Sequence, residues 1–154
     1  MIRLLAALLA AAFALPAHAA MTAEEAESIL FRVHDANEDT FVTPREFEAF
    51  RRKALTAMDA DGDGRISREE WNVFDPGFLN IAIQSGRTMA LMDAKDSVFD
   101  RYNTSGDDYL SNEEMMAGLF RDFLEADEDD DGRLTAEEMR NVALIKAMSS
   151  SLMQ

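Results

Sequence analysis

Oxygen-bearing side chains recur in four twelve-residue segments of the chain, and this repeat constrains the fold more than any other feature of the sequence. The segments are residues 35–46, 59–70, 103–114 and 127–138. Positions 1, 3, 5, 7, 9 and 12 of such a segment can place oxygens around one hard cation. Glycine at position 6 permits the sharp turn because it lacks the Cβ that disfavours a positive φ. The repeat therefore predicts helix–loop–helix units built around metal-binding loops.

The second and fourth segments match the complete pattern of a calcium loop. Each has three aspartates, a glycine at position 6 and a closing glutamate, as in D-x-[DN]-x-[DN]-G-x5-E. Position 7 offers a backbone carbonyl, position 9 often acts through water, and the glutamate binds with both oxygens. The predicted ligands are Asp59, Asp61, Asp63, Arg65, Ser67 and Glu70 in the second loop and Asp127, Asp129, Asp131, Arg133, Thr135 and Glu138 in the fourth.

The first and third segments depart from this pattern at position 6. Thr40 in the first loop would be strained there by roughly 1–2 kcal/mol, whereas Asp108 in the third tolerates a positive φ better. The third loop has neutral residues at its first two ligand positions, and affinity follows ligand charge. We expect the second and fourth loops to bind most strongly, the first less strongly and the third least. The predicted ligands are Asp35, Asn37, Asp39, Phe41, Thr43 and Glu46 in the first loop and Asn103, Ser105, Asp107, Tyr109, Ser111 and Glu114 in the third.

Apolar residues also recur at fixed places around the four loops. Position 8 is Val42, Ile66, Leu110 and Leu134, position 13 is Phe47, Trp71, Met115 and Met139, and position −4 is Phe31, Leu55, Phe99 and Phe123. With these residues and the ligand pattern, the chain from about 31 to 139 resembles the EF-hand family, most closely its small exported bacterial members. The resemblance implies Ca2+ as the bound ion. It also implies an all-α fold of four EF-hand helix–loop–helix units in one compact domain, with short antiparallel β pairing between loops.

A helix-capping role is the alternative for the four closing glutamates. Each stands three residues after a serine or threonine, which is the capping-box spacing, and Pro44 suits the first position of a helix. Capping alone would explain an isolated glutamate of this kind. In the second and fourth loops, however, the glutamate also lies at ligand spacing from three aspartates, and we favour the ligand role there.

The distance between loops predicts which of them pair. Twelve residues, Phe47–Met58 or Met115–Ala126, separate the loops within each half, and a helix of that length spans ~18 Å. Successive loops would then lie at opposite ends of one helix, which favours pairing of loop two with three and of loop one with four. A bend at Gly118 would instead allow neighbouring loops to pair in the second half.

The remaining segments predict further helices. We expect a helix over residues 22–34 with a capping box at its start. A turn at 75–77 should precede a short helix, an interruption near 85–86 and a helix that enters the third loop. The last helix is predicted over 136–148, followed by a frayed tail over 149–154.

The first nineteen residues have the form of a secretory signal peptide. Arg3 supplies the basic start, residues 4–15 form an apolar run, and 17–19 are a small-x-small cleavage site. The run is too short to span a membrane as a helix. We expect cleavage after Ala19, with cleavage after Ala20 or an uncleaved N-terminal anchor as alternatives. Cleavage would give an EF-hand domain over residues 20–154 and a periplasmic or secreted bacterial protein without membrane attachment.

Charge and composition restrict the function further. The formal charge of −15 disfavours binding to nucleic acid, and the absence of cysteine excludes disulfides and thiolate metal sites. A hydrophobic content of 47% with ten phenylalanines argues for a packed core. The sequence contains no motif of a nucleophilic, phosphate-binding or zinc enzyme, so we predict no enzyme activity. Reversible Ca2+ binding as a buffer or calcium-stabilised module is the leading hypothesis. A sensor that exposes a methionine-rich apolar surface to a protein partner is the alternative.

Overall fold

The computed structural model describes residues 21–153, so the predicted signal peptide at residues 1–19 lies outside the described residues. Within the described range the chain is mostly helical, with a short two-stranded antiparallel sheet. No helix between residues 21 and 153 is both long and apolar enough to cross a membrane. The elements are α1 (Ala23–His34), α2 (Pro44–Met58), β1 (Arg65–Ser67), α3 (Arg68–Val73), α4 (Leu79–Ser85), α5 (Thr88–Tyr102), β2 (Tyr109–Ser111), α6 (Asn112–Ala126), α7 (Ala136–Met139) and α8 (Ala143–Met153).

Capping boxes begin five of these helices. In each, a serine or threonine side chain accepts a hydrogen bond from the N3 backbone N–H, and the N3 glutamate accepts one from the N-cap backbone. This arrangement satisfies two backbone donors that a helix start otherwise leaves unpaired. The capping boxes predicted from the sequence are therefore confirmed, with N-cap residues Thr22, Thr43, Ser67, Ser111 and Thr135.

The loops pair in the nested order predicted from the linker lengths. β1 of the second loop pairs antiparallel with β2 of the third, which places Ile66 opposite Leu110. The first and fourth loops meet at Val42 and Leu134, where each backbone N–H donates to the other residue's carbonyl at 2.8 and 2.9 Å. Because α2 and α6 are each continuous from one loop to the next, neighbouring loops cannot pair, and the prediction is confirmed.

Gly118 allows two helices to approach each other closely rather than bending one of them. A Cβ at this position would lie 2.5 Å from Cδ1 of the buried Tyr102 on α5. The Tyr102 hydroxyl donates to the carboxylate of Asp122, which is also buried on α6. The alternative of a bend at Gly118 is therefore not realised, because α6 runs unbroken past it.

The segment between the two halves follows the prediction. The Asp75 carboxylate accepts hydrogen bonds from the backbone N–H groups of Gly77 and Phe78 at 3.0 and 2.8 Å, which forms the predicted turn. Gly86 ends α4 in the left-handed conformation with φ 69°. α5 then begins at Thr88 and continues to the third loop.

The predicted last helix over 136–148 is wrong, because the chain breaks it into α7 and α8. The backbone N–H groups of residues 140–142 donate to carbonyls three residues back, which makes a tight turn. The Asn141 side chain donates to Glu128 at 2.8 Å and holds this turn against the fourth loop. The tail predicted to fray is also helical through Met153, and the buried Ser149 hydroxyl donates to Glu27 of α1.

The core has two apolar clusters, one behind each pair of loops. The cluster behind loops one and four includes Val42 and Leu134, and the cluster behind loops two and three includes Ile66 and Leu110. Leu119 packs against both. The position-8 and position-13 side chains of all four loops are buried, whereas at position −4 Phe99 and Phe123 are buried and Phe31 and Leu55 only partly so. The core therefore fixes the strand pairing and the start of each exit helix.

Candidate metal centre

The aspartate at position 1 organises the turn in three of the loops. One carboxylate oxygen accepts the backbone N–H of position 5, and the other accepts the N–H of position 6. The distances are 3.0 and 3.0 Å in the second loop, 3.1 and 2.9 Å in the fourth, and 3.1 and 3.0 Å in the first. These bonds curl each loop around its first ligand. The organising residues are Asp59, Asp127 and Asp35.

A positive φ at position 6 accompanies this turn in the same three loops. Gly64 and Gly132 have φ 82° and 80°, and Thr40 has φ 72°. Glycine adopts this conformation freely, whereas a β-branched residue is strained in it. The first loop thus has the geometry of the two complete loops, at a cost in backbone strain.

The third loop lacks this turn. Asp108 at position 6 does not have a positive φ, so the conformation that aspartate tolerates is not adopted there. Position 4 has a positive φ in all four loops, with φ 72° at Gly106 in the third. The cause is Asn103 at position 1, because an amide has only one acceptor oxygen. That oxygen accepts the Gly106 N–H at 2.9 Å, while the amide nitrogen donates to the Asp107 carbonyl. The chain therefore curls around Asn103 differently from the other loops.

Three of the closing glutamates, Glu70, Glu114 and Glu138, join the two ends of their loops. Glu70 accepts hydrogen bonds from the Ser67 N–H at 2.8 Å, from the Ser67 hydroxyl at 2.7 Å and from the Ala60 N–H at 2.8 Å. Donors directed at a carboxylate favour its ionised form, and those of Ser67 first and Ala60 next lower the pKa of Glu70 to about 2. Glu70 is therefore fully ionised at neutral pH.

Glu114 and Glu138 have equivalent partners, whereas the hydrogen bonds that the structure describes for the Glu46 carboxylate come from Thr43. Backbone donors of Ser111 first and then Ser105 lower the pKa of Glu114 to about 2. The Thr135 N–H and the Glu128 N–H, at 2.9 and 3.0 Å, also lower the pKa of Glu138. In the first loop the Thr43 N–H lowers the pKa of Glu46. The capping role and an oxygen pointing toward the loop therefore coexist in the same side chain.

Two loops bring three carboxylates together. Asp59, Asp61 and Glu70 each have an oxygen within 4.8 Å of the others, and so do Asp127, Asp129 and Asp131. Calcium binds oxygens at 2.3–2.6 Å, so oxygens on opposite sides of one ion lie up to about 5 Å apart. All the donors are oxygens, which suits a hard cation. Among residues 21–153, neither the first nor the third loop forms a group of this kind.

Two predicted carboxylate ligands of these loops, Asp63 and Glu138, lie outside the groups. Asp63 is outside the first group and forms an ion pair with Arg65 at 3.2 Å, whereas Asp131 pairs with Arg133 at 2.8 Å while remaining in the second. In the first loop Asn37 accepts the Asp39 N–H at 2.9 Å. The hydroxyls at position 9 are held by the closing glutamates of their own loops, through Thr43, Ser67, Ser111 and Thr135.

Side chains at position 7 connect the paired loops, although the sequence pattern assigned that position only a backbone carbonyl. The Arg65 guanidinium lies 4.5 Å from the centre of the Tyr109 ring, and the Arg133 guanidinium lies 4.1 Å from the centre of the Phe41 ring. Each complete loop thus supplies an arginine and each incomplete partner supplies an aromatic ring. The sequence does show an arginine at position 7 of two loops and an aromatic residue at position 7 of the other two. These residues predict a contact only when it is known which loops pair.

Lys95 anchors the exit helix of the second loop, a role that no sequence pattern indicated. It is buried, and its ammonium donates to the carbonyls of Asn72 and Phe74 at the end of α3. Trp71, which directly follows Glu70, donates its indole N–H to the Lys95 carbonyl at 2.9 Å. The short α3 is therefore attached to α5, the helix that enters the paired third loop.

Comparison with known proteins identifies the same two loops. The EF-hand family model matches residues 52–75 and 120–143, which contain the second and fourth loops with adjoining helical residues. These matches support placement of the chain in an EF-hand calcium-binding family. No curated protein sequence and no solved structure matches the chain.

Proposed function

We propose that this protein binds Ca2+ reversibly and that loops 59–70 and 127–138 are its strongest sites. The observation that carries the proposal is the group of three carboxylates, mutually within 4.8 Å, in each of these loops. Both loops also lie within the matches to the EF-hand family. We assign the ion to the twelve oxygen-donor positions predicted for these two loops, with position 7 acting through its backbone carbonyl.

The first loop is proposed as a third, weaker site and the third loop as the weakest of the four. Asp35 arranges the first loop as Asp59 arranges the second, but Thr40 adds backbone strain. Asn103 arranges the third loop differently and brings no charge. Fewer charged ligands and a less suitable turn both lower affinity, so we expect this site to fill last.

Calcium is favoured over magnesium by the irregular donor sets. Magnesium requires near-ideal octahedral geometry and gives up its water reluctantly, whereas calcium accepts six to eight oxygens with flexible geometry. The loops combine carboxylates, backbone carbonyls and hydroxyls of unequal reach. A variable arrangement of this kind suits the larger ion.

We further propose that the four EF-hand units form one exported domain over residues 20–154, released by cleavage after Ala19. The export assignment rests on the basic start, apolar run and small-x-small site within residues 1–19. It would place the protein in the periplasm or outside a bacterial cell. There it would act as a non-enzymatic calcium buffer or as a module stabilised by calcium, without nucleic acid or membrane as a partner.

The sensor alternative requires that buried methionine side chains become exposed when calcium binds. Four of the methionines proposed for an apolar recognition surface are buried, each with at most 4% of its surface exposed: Met58, Met115, Met139 and Met148. A sensor would therefore have to expose them when calcium binds. An apolar fluorescent dye separates the two functions, because its emission should rise sharply on addition of calcium for a sensor and fall or stay level for a buffer.

Calorimetric titration of the protein lacking residues 1–19 tests the proposal directly. We expect two strong calcium sites, a weaker third, and at most a fourth that fills near millimolar calcium. Equilibrium dialysis that retains no calcium at millimolar concentration would refute calcium binding. A magnesium titration under the same conditions measures selectivity, and binding as tight as that of calcium would remove the argument from donor geometry.

A further inference from the structure

In both complete loops, an arginine at position 7 holds the carboxylate of the aspartate at position 5. The Arg65 Nη2 lies 3.2 Å from Oδ2 of Asp63, and the Arg133 Nη2 lies 2.8 Å from Oδ2 of Asp131. Oδ1 of each aspartate accepts the backbone N–H of the same arginine, at 2.8 and 2.9 Å. Each arginine therefore contacts both oxygens of a predicted calcium ligand.

The incomplete loops show that the turn at position 5 does not need this guanidinium. Asp39 and Asp107 likewise accept the position-7 backbone N–H through Oδ1, at 3.0 and 2.9 Å. Position 7 is Phe41 in the first loop and Tyr109 in the third, and neither aspartate belongs to an ion pair within residues 21–153. The backbone hydrogen bond is common to all four loops, whereas the cation is present only in the two with a complete set of carboxylates.

The partner loop holds each guanidinium in place. A cation is attracted to the face of an aromatic ring, and the Arg65 and Arg133 guanidinium groups lie 4.5 and 4.1 Å from the ring centres of Tyr109 and Phe41. In the β1–β2 ribbon Tyr109 is opposite Ser67, two residues from Arg65. Such diagonal neighbours are within reach of long side chains, so the pairing of the loops brings the ring to the arginine.

The two ion pairs differ in their effect on the carboxylate groups. Asp63 lies outside the group of the second loop, whereas Asp131 belongs to that of the fourth. Calcium loops of this type use the position-5 carboxylate as a ligand. A second cation on the same carboxylate opposes the ion through charge repulsion. The arginines are therefore placed where they act against calcium.

We propose that Arg65 and Arg133 compete with calcium for the position-5 aspartates and thereby lower the affinity of the two strongest loops. In the metal-free protein each guanidinium neutralises one of the clustered carboxylates, and it must release that carboxylate before the loop can hold calcium. Tyr109 and Phe41 are positioning residues that keep the arginines beside the aspartates. The inference rests on the proposed function, because it concerns the same two calcium sites.

Solvent exposure limits the size of the effect. The Arg65 and Arg133 side chains are 52% and 45% exposed, and water screens ion pairs at such positions. We expect removal of either charge to tighten calcium binding by about two- to fivefold. The factor should be larger for Arg65, because its aspartate is the one that lies outside the carboxylate group.

Calorimetric calcium titration of Arg65→Met tests the competition when the change is made in Glu138→Gln, which leaves the second loop as the strong site. Arg52→Met in the same background is the matched control, because Arg52 is an exposed arginine that pairs with Glu48, a carboxylate outside the loops, at 2.6 Å. Both changes alter the net charge equally, so a local competitor is required to explain tighter binding by Arg65→Met alone.

The outcomes separate this inference from calcium binding itself. Unchanged or weaker binding by Arg65→Met, or equal tightening by Arg52→Met, would overturn the competition while calcium binding by the parent protein upheld the proposed function. A parent protein that bound no calcium would refute both. Arg133→Met in Glu70→Gln should tighten the fourth loop by the smaller factor, and a larger one would contradict the interpretation of Asp63.

Tyr109→Leu tests the positioning role. It should tighten binding by the second loop when Arg65 is present, because the arginine is then less well held, and it should have no effect in combination with Arg65→Met. A merely structural role of the ring would shift the affinity equally in both backgrounds, and that result would overturn the positioning role.

Thermal unfolding provides a measurement that does not require bound metal. In EDTA, Arg65→Met leaves the carboxylates of the second loop without their internal cation, so the melting temperature should fall by about 1–4 °C. In millimolar calcium the fall should be smaller, because the guanidinium has already released Asp63. A fall at least as large in calcium as in EDTA would overturn the proposal.

Discussion

Replacing Glu138 by glutamine should remove the fourth calcium site while preserving the fold. In the structure one Glu138 oxygen accepts the Glu128 N–H at 3.0 Å, and the other accepts the Thr135 N–H and hydroxyl at 2.9 and 2.8 Å. An amide has one acceptor oxygen, so Glu138→Gln must direct its NH2 group at one of these donors. Hydrogen bonds to a charged group are worth about 1.5–3 kcal/mol each.

If one such hydrogen bond is lost in the calcium-bound form of the loop, calcium binding should weaken by about 10- to 150-fold. The lost ligand charge adds to this, so the expected change is at least that large. Calorimetry of Glu138→Gln should show one strong site fewer than the unmodified protein. Glu137→Gln, the same change at the exposed neighbouring position, should bind as before. If the double variant Glu70→Gln, Glu138→Gln retained both strong sites, the ligand assignment would be wrong.

The same geometry predicts the response to three further changes. Asn103→Asp combined with Asp108→Gly should give the third loop the turn of its neighbours and add one calcium equivalent by calorimetry; an unchanged stoichiometry would contradict the explanation given for that loop. Gly118→Ala should gain about 1 kcal/mol of helix propensity but lose about 1–3 kcal/mol through the clash with Tyr102, so denaturant unfolding should show net destabilisation. Because the pKa of Glu70 falls from 4.5 to about 2 on folding, its contribution to stability is complete above about pH 4.5 and is lost as the pH falls toward 2. Circular dichroism in EDTA should show a weaker acid dependence when Glu70 is changed to glutamine.

Local chemistry explains why much of the fold could be predicted from the sequence. The spacing of serine or threonine to glutamate located the starts of five helices, since a capping box needs only residues three apart. The nested pairing followed from the length of two uninterrupted linkers, because a rigid helix separates the loops at its ends. Both inferences depend on geometry within about twenty residues of chain.

Predictions that required distant contacts failed or could not be made. The break after Met139 depends on Asn141 reaching Glu128 across the fourth loop, and nothing in residues 136–148 alone indicates it. The backbone of the third loop depends on Asn103, whose side chain has one acceptor oxygen and uses it on the Gly106 N–H, so the residue type at position 6 alone did not predict the turn. The burial of Arg51 on α2 could not be predicted, because its guanidinium donates to the carbonyl of Met116 on α6, a distant part of the chain.

The nested loop order determines how the chain can be divided. The turn at residues 75–77 looks like a boundary between two halves, as in proteins with two independent lobes. A cut there would separate every loop from its pairing partner, because 42 meets 134 and 66 meets 110 across it. Neither fragment would contain a complete pair, so calcium binding of native strength would return only when the two pieces recombined. The protein is therefore a natural candidate for fragment complementation, in which calcium reports the reunion of two otherwise incompetent peptides.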